Sequence, residues 1–314
     1  MSDFAFWKEL LAEFNIGEHP FRGQQGDYRF SNEQANRISR QIRKEGYFLS
    51  EPIIPTHEFE MLARGISKLA DARVLPVFIA VYDEFWQILC KLRHTFVPIL
   101  GESYRLPPDF WVWHVAPNAA SRGWEIHRDA QFDKPLDSES IIRDDWSPRM
   151  CTMWIPFTDA DTHNSCIYVL PFPHDPAMQS FMRKENVAAE KQKEPLTKLA
   201  NVRALPARAG SVVGWTPYIL HWGSQSTDWA THPRVSVGIY YHAADVIGKV
   251  SIPFDDEGRS YINLHDADFR LDLKDRLAII ANIIATYLES GHMKSEPGFS
   301  PAVTKFCQRW RRKK

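Results

Sequence analysis

Cysteine is scarce in this 314-residue chain: Cys90, Cys151, Cys166 and Cys307 lie far apart and form no CxxC pair. That spacing argues against a zinc knuckle or a dithiol redox pair and predicts buried, reduced thiols in a cytoplasmic setting. The opening MSDFAFWKELLAEF has neither a basic n-region nor a long apolar run, so neither a secretory leader nor a membrane span is expected there. An excess of one charge is also missing, because 38 Lys+Arg against 39 Asp+Glu leave a formal net charge of -1. So balanced a surface gives no reason to expect nucleic acid or an anionic membrane as partner. There is no internal repeat and no low-complexity linker. What is abundant is apolar and aromatic: 44% hydrophobic residues against 25% charged describe a globular chain able to bury a sizeable core. Trp111, Trp113, Trp124, Trp146, Trp154, Trp215, Trp222 and Trp229 crowd one central stretch. Packing is the ordinary role of such bulky rings, yet several flank the polar residues singled out below.

The first hundred residues read as helical over Phe4 to Phe14, Asn32 to Glu45, His57 to Ala70 and Pro76 to Leu100, with a short strand at Gly46-Tyr47-Phe48-Leu49. From Phe110 the texture changes to short runs rich in Val, Ile, Trp and Tyr between Pro, Gly, Asn and Asp clusters, the pattern of a β sandwich or barrel. Strands are expected at 110–116, 124–128, 150–157, 166–171, 202–206, 211–215, 218–222 and 234–242. The Lys/Glu-rich segment Ala177 to Lys198 lacks a core-forming stripe and reads as an exposed helix or a flap. Leu273, Leu277, Ile280, Ile284 and Leu288 recur at helical spacing, predicting an amphipathic helix over 268–290. The basic tail from Lys305 reads as a solvated helix end. A single domain spanning 1–314 is expected, helical over residues 1–105, with a β core over 106–245 and a helical C-terminal region over 246–314.

His127-Arg128-Asp129 follows an apolar-polar run, and residues i and i+2 of a strand share a face, so an imidazole and a carboxylate can converge on one ion. The same letters open a protein-kinase catalytic loop, but that loop needs an Asn seven positions after the His, where Lys134 stands, and there is no glycine-rich phosphate loop or DFG. A third ligand is required. His163, His174, His232 and His242 are candidates, but His221 alone ends an apolar strand pair and is followed at suitable distance by an arginine, Arg234. Two histidines and one carboxylate leave three open positions, as in non-haem iron(II) oxygenases. Pairing of the Arg234 strand with the His221 strand would set Arg234 and Ser236 near the metal, offering a bidentate guanidinium and a hydroxyl to the far carboxylate of a ligand such as 2-oxoglutarate. His114 reads as a pocket residue or a satisfied core histidine, Asn164 as a turn residue and Arg128 as structural.

These residues carry a resemblance to the phytanoyl-CoA hydroxylase-like (PhyH) family of iron(II)/2-oxoglutarate dioxygenases, running from about Gly46 to Tyr241. It rests on Gly46-Tyr47-Phe48, His127-x-Asp129, Trp154-Ile155-Pro156-Phe157-Thr158-Asp159-Ala160, Asn164-Ser165-Cys166-Ile167-Tyr168-Val169-Leu170-Pro171, and Leu220-His221 followed by Arg234. The chain departs from the family's N-G-C-L-x-V-x-P-G-S-H segment with Ser165 for Gly and Phe172-Pro173-His174 for G-S-H, and inserts Trp222 directly after the distal histidine. The resemblance implies a mainly β fold with flanking helices around a double-stranded β-helix (jelly-roll, cupin-like) core. It also implies His127, Asp129 and His221 as iron(II) ligands, Arg234 on the distal carboxylate of 2-oxoglutarate, and Trp154 lining the cosubstrate pocket. With dioxygen as the remaining cosubstrate, the expected reaction is hydroxylation of a C–H bond, or desaturation or cyclisation, on a small organic substrate of natural-product or lipid metabolism. Asp129 disfavours halogenation, since halogenases leave that position small. The rivals are a non-catalytic cupin-like binding protein, a zinc or manganese enzyme on the same barrel, and a peptide or protein hydroxylase.

Overall fold

The computed structural model describes residues 4–17, 27–130, 132, 141–183, 200–246, 253–254, 258–266, 269–289, 303 and 305–307. Eight strands among them are β1 (Tyr47–Leu49), β2 (Phe110–Val115), β3 (Met150–Pro156), β4 (Ile167–Leu170), β5 (Arg203–Leu205), β6 (Val213–Trp215), β7 (Leu220–Gly223) and β8 (Arg234–His242). They form two antiparallel sheets, one of five strands in the order β1-β6-β3-β8-β2 and one of three in the order β5-β4-β7.

Alternation along β8 explains how the larger sheet is used on both faces. Val235, Val237, Ile239 and Tyr241 belong to the core shared with the helices, whereas Arg234, Gly238 and Tyr240 line a cavity on the other face. Trp154, Val213 and Trp215 of the larger sheet share a second core with Ile167, Val169 and Leu205 of the smaller one. The two sheets therefore pack face to face, with flanking helices covering the outer face of the larger.

The helix Asn32–Glu45 begins with a capping box between Ser31 and Gln34, buries Ile38 and Ile42, and ends at Gly46 with φ 83°. Only glycine accepts that conformation easily, and the space is filled as well, since a Cβ there would lie 2.5 Å from the Phe172 ring. Strand β1 thereby starts beside β6. The single helix expected over Pro76 to Leu100 is instead a 3-10 turn Pro76–Val81 and two helices, Asp83–Lys91 and Val97–Leu100. The break at Tyr82 is extended (φ -101°, ψ 147°). It aims Asp83 inward, where its carboxylate accepts from the Gly17 N–H at 2.9 Å and pairs with Arg276 at 2.7 Å. Arg276 is fully buried on the helix Leu273–Glu289, so this cluster ties both ends of the described chain together.

Residues 124–128 are not a strand. They run beside β7 with one bridge, His127 to His221, in which each N–H donates to the other's carbonyl at 3.0 Å. The Glu125 carbonyl is taken by the His127 ring rather than by a neighbouring strand, which ends the ladder. Of the polar segment expected over Ala177 to Lys198, Pro176–Met182 is a short helix capped by Asp175, and 184–198 lie outside the described residues.

Candidate metal centre

Three side chains converge at the mouth of the sandwich: His127, Asp129 and His221 bring their ligand atoms within 4.8 Å of one another, the one such group among the described residues. Asp129 Oδ1 lies 3.5 Å from His127 Nε2 and 3.6 Å from His221 Nε2. Each imidazole is fixed through its other nitrogen, His127 Nδ1 to the Glu125 carbonyl at 2.6 Å and His221 Nδ1 to the Ile219 carbonyl at 3.2 Å. A carbonyl can only accept, so both Nδ1 atoms carry a proton and both Nε2 atoms face the shared space. Asp129 is oriented likewise: its Oδ2 accepts from the Thr152 hydroxyl at 2.8 Å and from Trp215 Nε1 at 3.1 Å, leaving Oδ1 to the histidines.

Two of the three protonation states suit a cation. Burial opposes the charge on Asp129, but His221, His127 and the Thr152 hydroxyl outweigh it and hold the carboxyl below the usual range. Burial, reinforced by the neighbouring His127, lowers His221 to about 4, so its ring is neutral at neutral pH. Burial lowers His127 too, but the hydrogen bond and charge of Asp129 prevail and raise it. Asp129 and His221 are thus prepared for a divalent ion, whereas His127, whose protonated form Asp129 favours, gives up its Nε2 proton when an ion binds.

The triad opens into a cavity of about 280 Å³ that also takes in Trp113, Trp154 and Arg234. Arg234 is 1% exposed. Its Nη1 donates to the Ser165 carbonyl at 2.7 Å, its Nε has no partner, and no carboxylate pairs with it among the described residues. Its guanidinium carbon lies 5.6 Å from the ring centres of both Trp113 and Trp154. Burial lowers its pKa to about 10, so it stays cationic at neutral pH. A buried cation without an anion is costly, and a ligand carboxylate would relieve it.

Arg234 does not arrive as the sequence suggested. Strand β8 pairs with β2 and β3, not with β7, so Arg234 and the triad histidine His221 meet across the gap between the sheets. Ser236 shares a face with Arg234, but it is fully buried, its hydroxyl lacks a partner, and it is not among the residues lining the cavity. His114 does not line the cavity either, since alternation gives that face to Trp111 and Trp113. Arg128 bonds the Tyr218 carbonyl and pairs with buried Asp175 at 2.6 Å, and it also lines the cavity. Asn164 is a turn residue: its Oδ1 accepts from the Asp161 N–H at 2.7 Å and its Nδ2 donates to the Asp159 carbonyl at 2.8 Å. Sequence reasoning missed Thr152, Trp215, Asp109, Tyr240 and Tyr287, all of which line the cavity. The period-2 position of Thr152, two before Trp154, was the signal available for one of them.

Residues 80–230 match the family of phytanoyl-CoA dioxygenase (PhyH). That stretch contains His127, Asp129 and His221 and stops short of Arg234. Among solved structures the chain is similar to the alpha ketoglutarate dependent epimerase SnoN from nogalamycin biosynthesis, at 14% identity and a TM-score of 0.49, covering 68% of this chain and 84% of that one. It is also similar to EctD from S. alaskensis, crystallised with 2-oxoglutarate and 5-hydroxyectoine, at 15% identity and a TM-score of 0.48, covering 75% and 86%. The non-heme monooxygenase ThoJ aligns at 13% identity and a TM-score of 0.45, covering 87% and 95%. No curated protein matches the chain.

Proposed function

We propose that this chain is an iron(II)- and 2-oxoglutarate-dependent oxygenase acting on a C–H bond of a small organic substrate, and that its two sheets are the halves of a double-stranded β-helix, one dioxygenase domain. The observation that carries the proposal is the pairing, in one cavity, of two Nδ1-anchored histidines and an oriented carboxylate with a buried arginine that has no carboxylate partner among the described residues. The match to the PhyH family supports it. The donor set fits the metal: hard carboxylate and borderline imidazoles suit iron(II). Arg234 fits the cosubstrate, because a planar guanidinium in a dry site grips a carboxylate through two parallel hydrogen bonds.

In this reading His127, Asp129 and His221 hold the metal, Thr152 and Trp215 keep Asp129 turned toward it, and Arg234 between Trp113 and Trp154 takes the distal carboxylate of 2-oxoglutarate. Iron(II), 2-oxoglutarate and dioxygen together supply the oxidising chemistry. The protein supplies orientation and dryness: the aromatic lining limits water around the reacting C–H bond. The test is anaerobic titration of the protein with iron(II) and then 2-oxoglutarate, following the metal-to-ligand absorption band. His127→Ala and His221→Ala should lose iron binding, and Asp129→Gly should lose hydroxylation. Iron retained at wild-type affinity in either histidine variant would overturn the triad.

A further inference from the structure

Gly238 lies in the middle of β8, a strand bordered on both sides, where glycine weakens a sheet because it packs nothing and gives up the most backbone freedom on folding. The fold does not ask for it. Its φ is outside the left-handed region, and a Cβ built there would meet only Trp154 Cδ1, at 3.9 Å, which is an ordinary contact. Alanine would therefore fit the protein as it stands. A glycine that a strand itself does not require marks a place where another group comes close to the backbone.

The register of the sheet gives the surroundings of that place. Trp111 of β2 and Trp154 of β3 are the cross-strand partners of Gly238, and all three line the cavity. The glycine is thus the floor of a notch with an indole on each side. In the next row Tyr240 pairs with Thr152, and Thr152 pairs with Trp215. Thr152 and Trp215 are the two donors that hold Asp129, so the triad stands over this row. In the other direction Arg234 lies four residues back on the same face, about 13 Å along the strand at ~3.4 Å per residue. Its guanidinium carbon comes within 5.6 Å of the Trp113 and Trp154 ring centres. Gly238 therefore falls between the triad and the guanidinium, and Trp154 borders both the glycine and the cation. The atom bonded to its Cδ1, the indole Nε1, is buried and has no hydrogen-bond partner among the described residues. A carboxylate oxygen would supply one.

We propose that Gly238 is a specificity-determining residue for the cosubstrate: an unbranched 2-oxo dicarboxylate runs from the triad to Arg234 with its methylene carbons against the bare backbone of Gly238, in the notch between Trp111 and Trp154. This rests on the oxygenase reading above. Gly238 carries no charge and no ligand atom, so it acts by leaving space. A side chain at this position would stand in the notch, where it obstructs a ligand that crosses to Arg234 and spares one that stops at the metal.

The probes are 2-oxoglutarate and pyruvate, which carries the same metal-chelating 2-oxo acid group but is too short to cross the notch. Each is titrated anaerobically into iron(II)-loaded wild type, Gly238→Ala and Gly238→Val, following the metal-to-ligand absorption band. Affinity for 2-oxoglutarate should fall about tenfold in the alanine variant and about a hundredfold in the valine variant. Pyruvate and iron(II) should bind all three proteins alike. Gly238→Ala should unfold at no lower temperature than the wild type, because the fold does not need the glycine. Undiminished 2-oxoglutarate affinity in Gly238→Val, or equal losses of 2-oxoglutarate and pyruvate in Gly238→Ala, would overturn the inference. If the valine variant does not fold, the alanine variant decides alone, since its Cβ meets nothing closer than 3.9 Å. Absence of the band in the wild type would overturn the oxygenase reading itself, whereas a band that forms at full affinity in every variant would overturn only the role of Gly238.

Discussion

Thr152 and Trp215 decide which oxygen of Asp129 faces the histidines, since both donate to Oδ2. Thr152→Val keeps the shape and removes one donor. Groups that orient a metal ligand typically change metal affinity by roughly 10- to 100-fold, so a loss of about tenfold is expected in an iron(II) titration of the variant. An unchanged dissociation constant would show that the indole alone suffices. Ser165 makes a different point. It adopts φ 76°, the left-handed region that costs a non-glycine residue about 1–2 kcal/mol. Its hydroxyl compensates, accepting from the Gly123 N–H at 3.2 Å and donating to the Ser224 carbonyl. Ser165→Ala keeps the strain and loses both bonds, whereas Ser165→Gly loses the bonds and relieves the strain. Chemical denaturation should find the glycine variant more stable than the alanine variant by about 1 kcal/mol. The substitution of serine in a glycine position was visible in the sequence, as was the i, i+2 spacing of His127 and Asp129. The roles of Thr152 and Trp215 were not, because they depend on two strands far apart in sequence lying side by side.

At the scale of elements, the triad depends on how closely the segment before His127 approaches β7. A Cβ on Gly223 would lie 2.7 Å from the Gly123 Cα, and one on Gly123 would lie 2.7 Å from the Gly223 Cα. The obstruction is backbone, which cannot rotate aside. Gly223→Ala must therefore push the two segments apart next to the His127 to His221 bridge. The expected result is a stability loss of about 1–3 kcal/mol in thermal or denaturant unfolding, together with weaker iron(II) binding. Full iron affinity in a destabilised variant would show that the bridge holds the histidines by itself. Strands β2, β3 and β8 were legible because each is a run of six residues or more rich in β-branched and aromatic side chains. Segment 124–128 misled for a physical reason: its alternation is real, but the Glu125 carbonyl serves the His127 ring. The break at Tyr82 was illegible because the partner that Asp83 meets there, Arg276, lies 193 residues further on (276 − 83).

Across the whole molecule, the site is made by two sheets closing on each other, and the sequence could name the residues but not this arrangement. The antiparallel pairing of β8 with β7 expected from their proximity in the chain does not occur, and Arg234 reaches the cavity from the opposite sheet. That position has a cost which the ligand-free protein must carry. Burial lowers the pKa of Arg234 to about 10, so the folded state binds its proton less firmly than the unfolded chain does, and at neutral pH the charge opposes folding. The bond to the Ser165 carbonyl and the flanking Trp113 and Trp154 rings offset this only in part. Replacing a buried, incompletely paired charge by an apolar side chain of similar length is often neutral or stabilising. Arg234→Met should accordingly leave the ligand-free protein no less stable than the wild type in thermal unfolding. The two proteins should part company when 2-oxoglutarate is added to the iron-loaded forms. A ligand at about 100 times its dissociation constant stabilises the folded state by about 2.7 kcal/mol, so the wild-type midpoint should rise by several degrees while that of Arg234→Met stays in place. Iron alone should raise both midpoints, because Arg234 is not a ligand in the triad. A marked loss of stability in the ligand-free variant would instead make Arg234 a structural residue, and the carboxylate of the cosubstrate would need another partner.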